Sequence, residues 1–189
     1  NDNSVSLGAV LSAGAIGGVV GGVIMGAWGG FKRKVHGVLA GWIVSGLFFA
    51  LVGVGNWLPL WIAANALSGL FIPLINGSNQ AIWQSKVAPD VQGRVFSART
   101  LIAWLTNPIS PILGGTLADY VLEPAMRTPG ILTSLFGWLV PPGPGAGMGL
   151  LILFGALGGL LAGLTGYFIP AIYNAETSLP DHDAKADVA

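Results

Sequence analysis

Charged and polar positions along this chain come in bunches, separated by long apolar runs. No Asp, Glu, Lys or Arg falls within 3–31, 37–85, 100–118 or 128–175. A helix crosses a bilayer with roughly 20 apolar residues, so each run can supply one crossing and two of them must be divided. The first reads as a helix at about 5–29, stopped by Gly29-Gly30 ahead of Lys32-Arg33-Lys34. The second breaks at Gly53-Val54-Gly55-Asn56-Trp57-Leu58-Pro59, a turn-forming cluster with an interfacial Trp, which predicts helices at about 37–55 and 58–83. Pro73 lies inside the third helix, where a kink is expected.

The third run gives a helix at about 95–119, carrying Pro108 and Pro111. The last divides at Pro141-Pro142-Gly143-Pro144-Gly145, before a fifth helix at about 147–171. Pro129 to Val140 is too short to cross. It reads as an extramembrane or interfacial segment with Phe136 and Trp138 at headgroup depth, or else as a re-entrant loop. The expected fold is an all-α integral membrane protein: five transmembrane helices within 1–175 and a polar tail at 176–189.

Composition agrees. Of 189 residues, 8% are charged, 53% are hydrophobic and 30 are Gly, which leaves no charged skin for a water-soluble domain. With no Cys there is no disulfide framework, thiolate metal site or cysteine nucleophile. A formal net charge of zero gives no footprint for nucleic acid. The chain opens Asn1-Asp2-Asn3, without an initiator Met or basic leader, so no signal peptide is read and the chain is expected to be a piece of a longer one.

Lys and Arg in short connections are retained on the cytoplasmic side. The 30–36 loop holds three, and the region 85–99 holds Lys86, Arg94 and Arg99. The 53–58 turn holds none, and the 120–146 connection holds only Arg127. The two sets alternate as five crossings require, which predicts an outside N-terminus and a cytoplasmic tail in the cell membrane.

Membrane helices associate through close backbone approach, which small residues four apart permit. Gly14, Gly18, Gly22, Gly26 and Gly30 form such a stripe on helix one, with Gly17 and Gly21 beside it. Helix five has Gly155, Gly159 and Gly163, and helix two has Gly41 and Ser45. The Gly14 to Gly30 stripe is expected to face another helix.

Polar side chains within a span face a cavity or another helix, because lipid leaves them unsatisfied. Asn76, Gln80 and Gln84 recur every four residues with Trp83 alongside, and Asn65 lies earlier on roughly the same face. Thr100, Trp104 and Asn107 follow helical spacing in helix four. These residues either line a solute path or bond neighbouring helices. Among the acids only Asp119 falls at the end of a span, so no carboxylate is expected at mid-membrane. His36 and His182 read as solvated. Without a cluster of His and carboxylates, no metal site, cofactor or enzymatic activity is expected.

Two segments carry a family resemblance. Gly26-Ala-Trp-Gly-Gly-Phe-Lys-Arg-Lys34 resembles the Gly-then-basic loop between helices eight and nine of major facilitator superfamily transporters, although Gly30 stands near the place of that family's loop acid. Ala88-Pro-Asp-Val-Gln-Gly-Arg-Val-Phe-Ser97, followed by Asn107-Pro-Ile-Ser-Pro-Ile-Leu-Gly-Gly-Thr-Leu-Ala-Asp119, looks like the joint between spans ten and eleven of its macrolide-efflux-like branch. The resemblance extends to about residue 175.

It implies that the five spans are helices eight to twelve of the C-terminal half, with helix seven and the N-terminal half lying outside this chain. Helix ten, with Asn65, Asn76 and Gln80, would border a central site exposed alternately to either side. Helices eight and eleven would face the opposite half. Lys32, Arg33, Lys34, Gly93 and Arg94 would close the cytoplasmic side, or would serve topology alone. The implied function is proton-coupled export of small lipophilic molecules. Carriage of a nutrient or siderophore, or a membrane scaffold that transports nothing, is the alternative.

Overall fold

The structure is a computed structural model and describes residues 2–178 and 181–182; residues 179–180 and 183–189 of the expected tail lie outside it. Five helices are long and apolar enough to cross a membrane. The first three long helices are α1 (Asp2–Trp28), α2 (Lys34–Val54) and α3 (Leu58–Lys86). Next come α4 (Pro89–Thr106) and α5 (Ile109–Leu117), a π-helical segment (Ala118–Leu122), α6 (Glu123–Arg127) and α7 (Ile131–Phe136). The chain closes with α8 (Ala146–Phe168), α9 (Pro170–Tyr173) and α10 (Ala175–Ser178).

Local chemistry sets these boundaries. Gly29 and Gly30 end α1 with φ of 78° and 75°, the left-handed region that glycine enters without steric cost. Pro59 and Pro89 open α3 and α4 in their first turns, where a missing N–H costs nothing. Pro170 forces Ile169 into an extended conformation, φ −92° and ψ 107°, and so stops α8 at Phe168, three residues short of the expected 171.

The long helices form a row in the order α1, α3, α2, α8, each packed on the next. Close backbone approach builds the seams of α1 on α3 and of α2 on α8, whereas the α2 glycines Gly37 and Gly41 pack on the Ser78 and Ile75 side chains of α3. A Cβ placed on Gly17 would run into the Ala66 carbonyl, one on Gly21 into the Leu70 carbonyl, and one on Gly69 into the Gly14 carbonyl. Across α2 and α8, a Cβ on Gly53 would lie 2.6 Å from the Gly149 oxygen, and one on Gly149 2.7 Å from the Gly53 oxygen.

Within this chain the α1 stripe is only partly in contact with α3. Gly14 does touch α3, where a Cβ would meet the Asn65 amide, but Gly18 comes no nearer than 3.9 Å to Gly69. Gly22 and Gly26 meet nothing within 4 Å. The seam follows Gly14, Gly17 and Gly21, spaced three and then four, because a helix of 3.6 residues per turn drifts off a strict four-residue repeat. On α8 the same holds: Gly155 meets nothing within 4 Å, Gly159 packs on the Trp42 ring, and Gly163 sits against Ile43 and the Leu39 carbonyl.

The fourth crossing departs most from its expected span. Its helical path runs from Pro89 to Arg127, because α4 starts at Pro89 and the chain keeps helical geometry beyond 119. The Trp104 carbonyl loses its usual donor at Pro108, which has no N–H, and the Asn107 N–H closes on it instead at 3.3 Å. This marks the joint between α4 and α5. Neither helix has a buried residue.

The 129–140 segment is also more than an interfacial loop. Val140 is buried, and Leu132, Phe136 and Leu139 pack with it against Met126, Leu150 and Leu153. Phe136 meets Phe154 edge-on at 5.3 Å between ring centres. Trp138 remains exposed, its indole donating to the Leu135 carbonyl at 2.8 Å.

Glu123 fixes the start of α8. Its carboxylate accepts from the Gly145 N–H at 2.9 Å and the Gly147 N–H at 2.7 Å, and Arg127 pairs with it at 2.9 Å. The acid therefore neutralises both orphan donors and the positive end of the helix dipole. Glu123→Ala is expected to cost about 2 kcal/mol, a loss of roughly 4–8 °C in the unfolding midpoint in detergent, measured by circular dichroism.

Candidate solute pathway and the basic end of the bundle

The structure separates the polar candidates into three groups. Asn65 belongs to the first: its amide donates to the Val10 carbonyl at 2.7 Å, tying α3 to α1. Beside it opens a cleft of about 560 Å³ between α1, α2, α3 and α8. Ser45 and Ser68 bond each other there at 2.9 Å between hydroxyl oxygens. Small residues dominate this cleft, including Gly14, Gly46, Gly69, Gly155 and Gly159, with Trp42 and Phe49 on its wall.

The second group lies along α3 and α4, which meet through Arg99. Asn76, Gln80 and Trp83 lie on one face of α3 at helical spacing, and Asn79, which repetition every four residues passes over, shares it. Arg99 of α4 donates to Asn79 Oδ1 at 2.9 Å, and its guanidinium lies 4.5 Å from the Trp83 ring centre. Asn76 is exposed and Gln80 half-buried, and among the described residues neither side chain makes a hydrogen bond. Trp104 is 70% exposed, and Asn107 stands exposed at the joint between α4 and α5. Gln84 is exposed, and its backbone carbonyl takes a bond from Gln92 across the turn joining α3 to α4.

The third group gathers at one end of the bundle. The segment after α8 crosses that end and ties the two basic connections together. Arg33 donates to the Tyr173 carbonyl at 3.2 Å and lies 4.7 Å above that ring. Glu176 caps α2, accepting from the Lys34 and Val35 N–H groups at 2.9 and 3.0 Å. Lys86 reaches the Glu176 carbonyl and pairs with Asp181 at 2.7 Å. That hydrogen bond holds the Asp181 carboxyl below the usual aspartate range. The tie is therefore present above ordinary aspartate values and is lost only as pH falls through the lowered one.

Both histidines are packed rather than solvated. His36 stacks on Tyr167 at 5.8 Å between ring centres, with its Nδ1 3.3 Å from the Tyr167 hydroxyl. The His182 N–H donates to the Ser85 carbonyl at 3.1 Å. Lys32, Gly93 and Arg94 are exposed. Gly30, near the place of the missing loop acid, has a backbone conformation that side chains rarely adopt. Among the described residues no group of His and carboxylates is arranged to hold a metal ion.

Sequence reasoning missed Arg99 with Asn79, and the capping roles of Glu123 and Glu176. Spacing of three, four and seven from Asn76 would have found Asn79. The two caps depend on tertiary approach and leave no local signal.

Known efflux proteins resemble part of this chain. Macrolide efflux protein A of Streptococcus pyogenes is 28% identical over 112 residues, 57% of this chain and 27% of that protein. Macrolide efflux protein A of Enterococcus faecalis is 27% identical over 100 residues, 50% of this chain and 30% of the relative. The chain thus matches under a third of the length of these relatives. No family model matches it, and no solved structure does. Five apolar helices and this partial likeness together describe a membrane-embedded protein similar to macrolide efflux proteins.

Proposed function

We propose that the chain forms the C-terminal part of a secondary active exporter of small, partly apolar molecules, working by alternating access and coupled to protons. The wall formed by α3 and α4 carries this reading. Amides at Asn76 and Gln80 stand on a membrane helix without a bond among the described residues, and α4 and α5 bury nothing in the row beside them. Lipid on that face would leave the amides unsatisfied, whereas a water-lined path and an opposing helical half would accommodate both. The likeness to macrolide efflux proteins points the same way.

The basic end, on this reading, is cytoplasmic, and the bonded strap from Arg33 to Asp181 holds the inner loops in register. Lys32, Arg33, Lys34, Gly93 and Arg94 act in closing that side. No carboxylate lies along α1, α2, α3 or α8 beyond their first turns, and in the fourth crossing Asp119 and Glu123 stand toward its far end; on this reading the titrating group of the coupling step is supplied by the helices that complete the transporter.

Alanine at Asn76, Gln80 and Asn107, tested in the complete transporter, is expected to lower efflux at least about tenfold while membrane levels stay normal. A scaffold that transports nothing makes the opposite forecast: these changes are harmless and only seam glycines matter. Unaltered efflux in the triple variant would overturn the pathway assignment.

A further inference from the structure

Arg99 borders the uncharged stretch 100–118 on its N-terminal side, and the structure puts it well inside α4 rather than in the first turn of a helix. It lies ten positions after Pro89, roughly 15 Å along α4. Its described contacts are neutral: the Asn79 carbonyl oxygen at 2.9 Å, the Trp83 ring at 4.5 Å and the Phe96 ring at 6.0 Å. Among the described residues the ion pairs are made by Lys86 and Arg127, and none by Arg99. A guanidinium carries five N–H donors in a fork that matches an oxyanion, and one bond to an amide leaves most of them to be met.

Beside it, Phe96, Ser97, Thr100, Leu101 and Trp104 line a shallow, open hollow along α4, against which an apolar body can lie. Phe96 belongs to both features. The wall contains no acid between Leu58 and Lys86, and on α4 only Asp90 in its first turn, so an organic cation finds no ion partner along it.

We propose that Arg99 and the α4 hollow bind an oxyanion carried on an apolar body, with Asn79 and Trp83 holding the guanidinium in place. An amphiphilic carboxylate and an acidic lipid headgroup share this chemistry. That the bound molecule is cargo rests on the export reading. Binding is measured without transport, so failure of either claim leaves the other standing.

The test uses the purified chain in phosphatidylcholine nanodiscs, titrated with 11-(dansylamino)undecanoic acid or its primary amide, and reads energy transfer from Trp. The acid should bind roughly tenfold more tightly than the amide. Arg99→Gln should bring the acid down to the level of the amide, a comparison that cancels partition into lipid. Arg99→Lys should retain part of the preference. Asn79→Asp, which sets a carboxylate against the guanidinium, should abolish the preference while leaving amide binding intact.

Repeating the titration with phosphatidylglycerol in the discs separates the sources. Unchanged acid affinity assigns the seat to the solute, and Arg99-dependent loss of it assigns the seat to the headgroup. Equal binding of acid and amide by the parent chain, or a preference that survives Arg99→Gln, would overturn the proposal.

Discussion

Gly17→Ala or Gly21→Ala should lower the unfolding midpoint of the chain in detergent by roughly 4–8 °C, and Gly17→Leu should yield no folded protein. In each case a single methyl would fall on a backbone carbonyl of α3, Ala66 at Gly17 and Leu70 at Gly21. A carbonyl held in a helix cannot move aside as a flexible side chain can, so α1 must shift as a whole. Overpacking of this kind costs about 3 kcal/mol, and alanine, the better helix former, offsets about 1 kcal/mol of it. The remaining cost of about 2 kcal/mol gives that fall in midpoint for a chain of this length. Gly22→Leu and Gly26→Leu are the controls. A Cβ at either position meets nothing within 4 Å, so neither should move the midpoint by more than about 2 °C. Equal losses at Gly17 and Gly22 would contradict the observed seam.

The difference between these positions shows how far the sequence could be read. Apolar runs bounded by basic clusters located five crossings because desolvation acts on composition alone, whatever the neighbours. The register of the α1 seam was less legible. Gly14, Gly17, Gly18, Gly21 and Gly22 all look alike in sequence, and only the position of α3 selects Gly14, Gly17 and Gly21. The start of α4 was hidden for a different reason. Asp90 and Arg94 read as a loop on charge, yet a helix opened by Pro89 continues through them, because nothing obliges a helix to end at the membrane surface. Arg99 falls within the expected helix, but its role came to light only through its contacts with Asn79 and Trp83.

At the far end, packing rather than pattern decided the outcome. The 129–140 segment is too short to span, but its Phe136 and Val140 close over Met126 and Leu150. The start of α8 presses so near the π-helical segment that a Cβ on Gly147 would touch the Glu123 backbone. Such an approach accompanies the local widening of the helix there, and no spacing rule foretells it.

The second expectation concerns transport by the chain itself. Reconstituted alone in vesicles, residues 1–189 should move no dye above the background of empty vesicles. An alternating-access site needs walls on both sides. Here one side, the exposed faces of α4 and α5 with Asn76, Trp104 and Asn107, has no helix opposite it among the described residues. Joined to the helices proposed to precede it, the same chain should support export. Uptake or efflux by the chain alone would contradict the half-site account, whatever the solute.

Efflux of a fluorescent lipophilic dye decides the matter, followed in cells expressing the complete transporter, with and without a protonophore. The proposed function requires energy-dependent efflux that collapses when the proton gradient is removed. Normal membrane levels with no efflux of any lipophilic dye would contradict it, leaving five membrane helices without the exporter built on them.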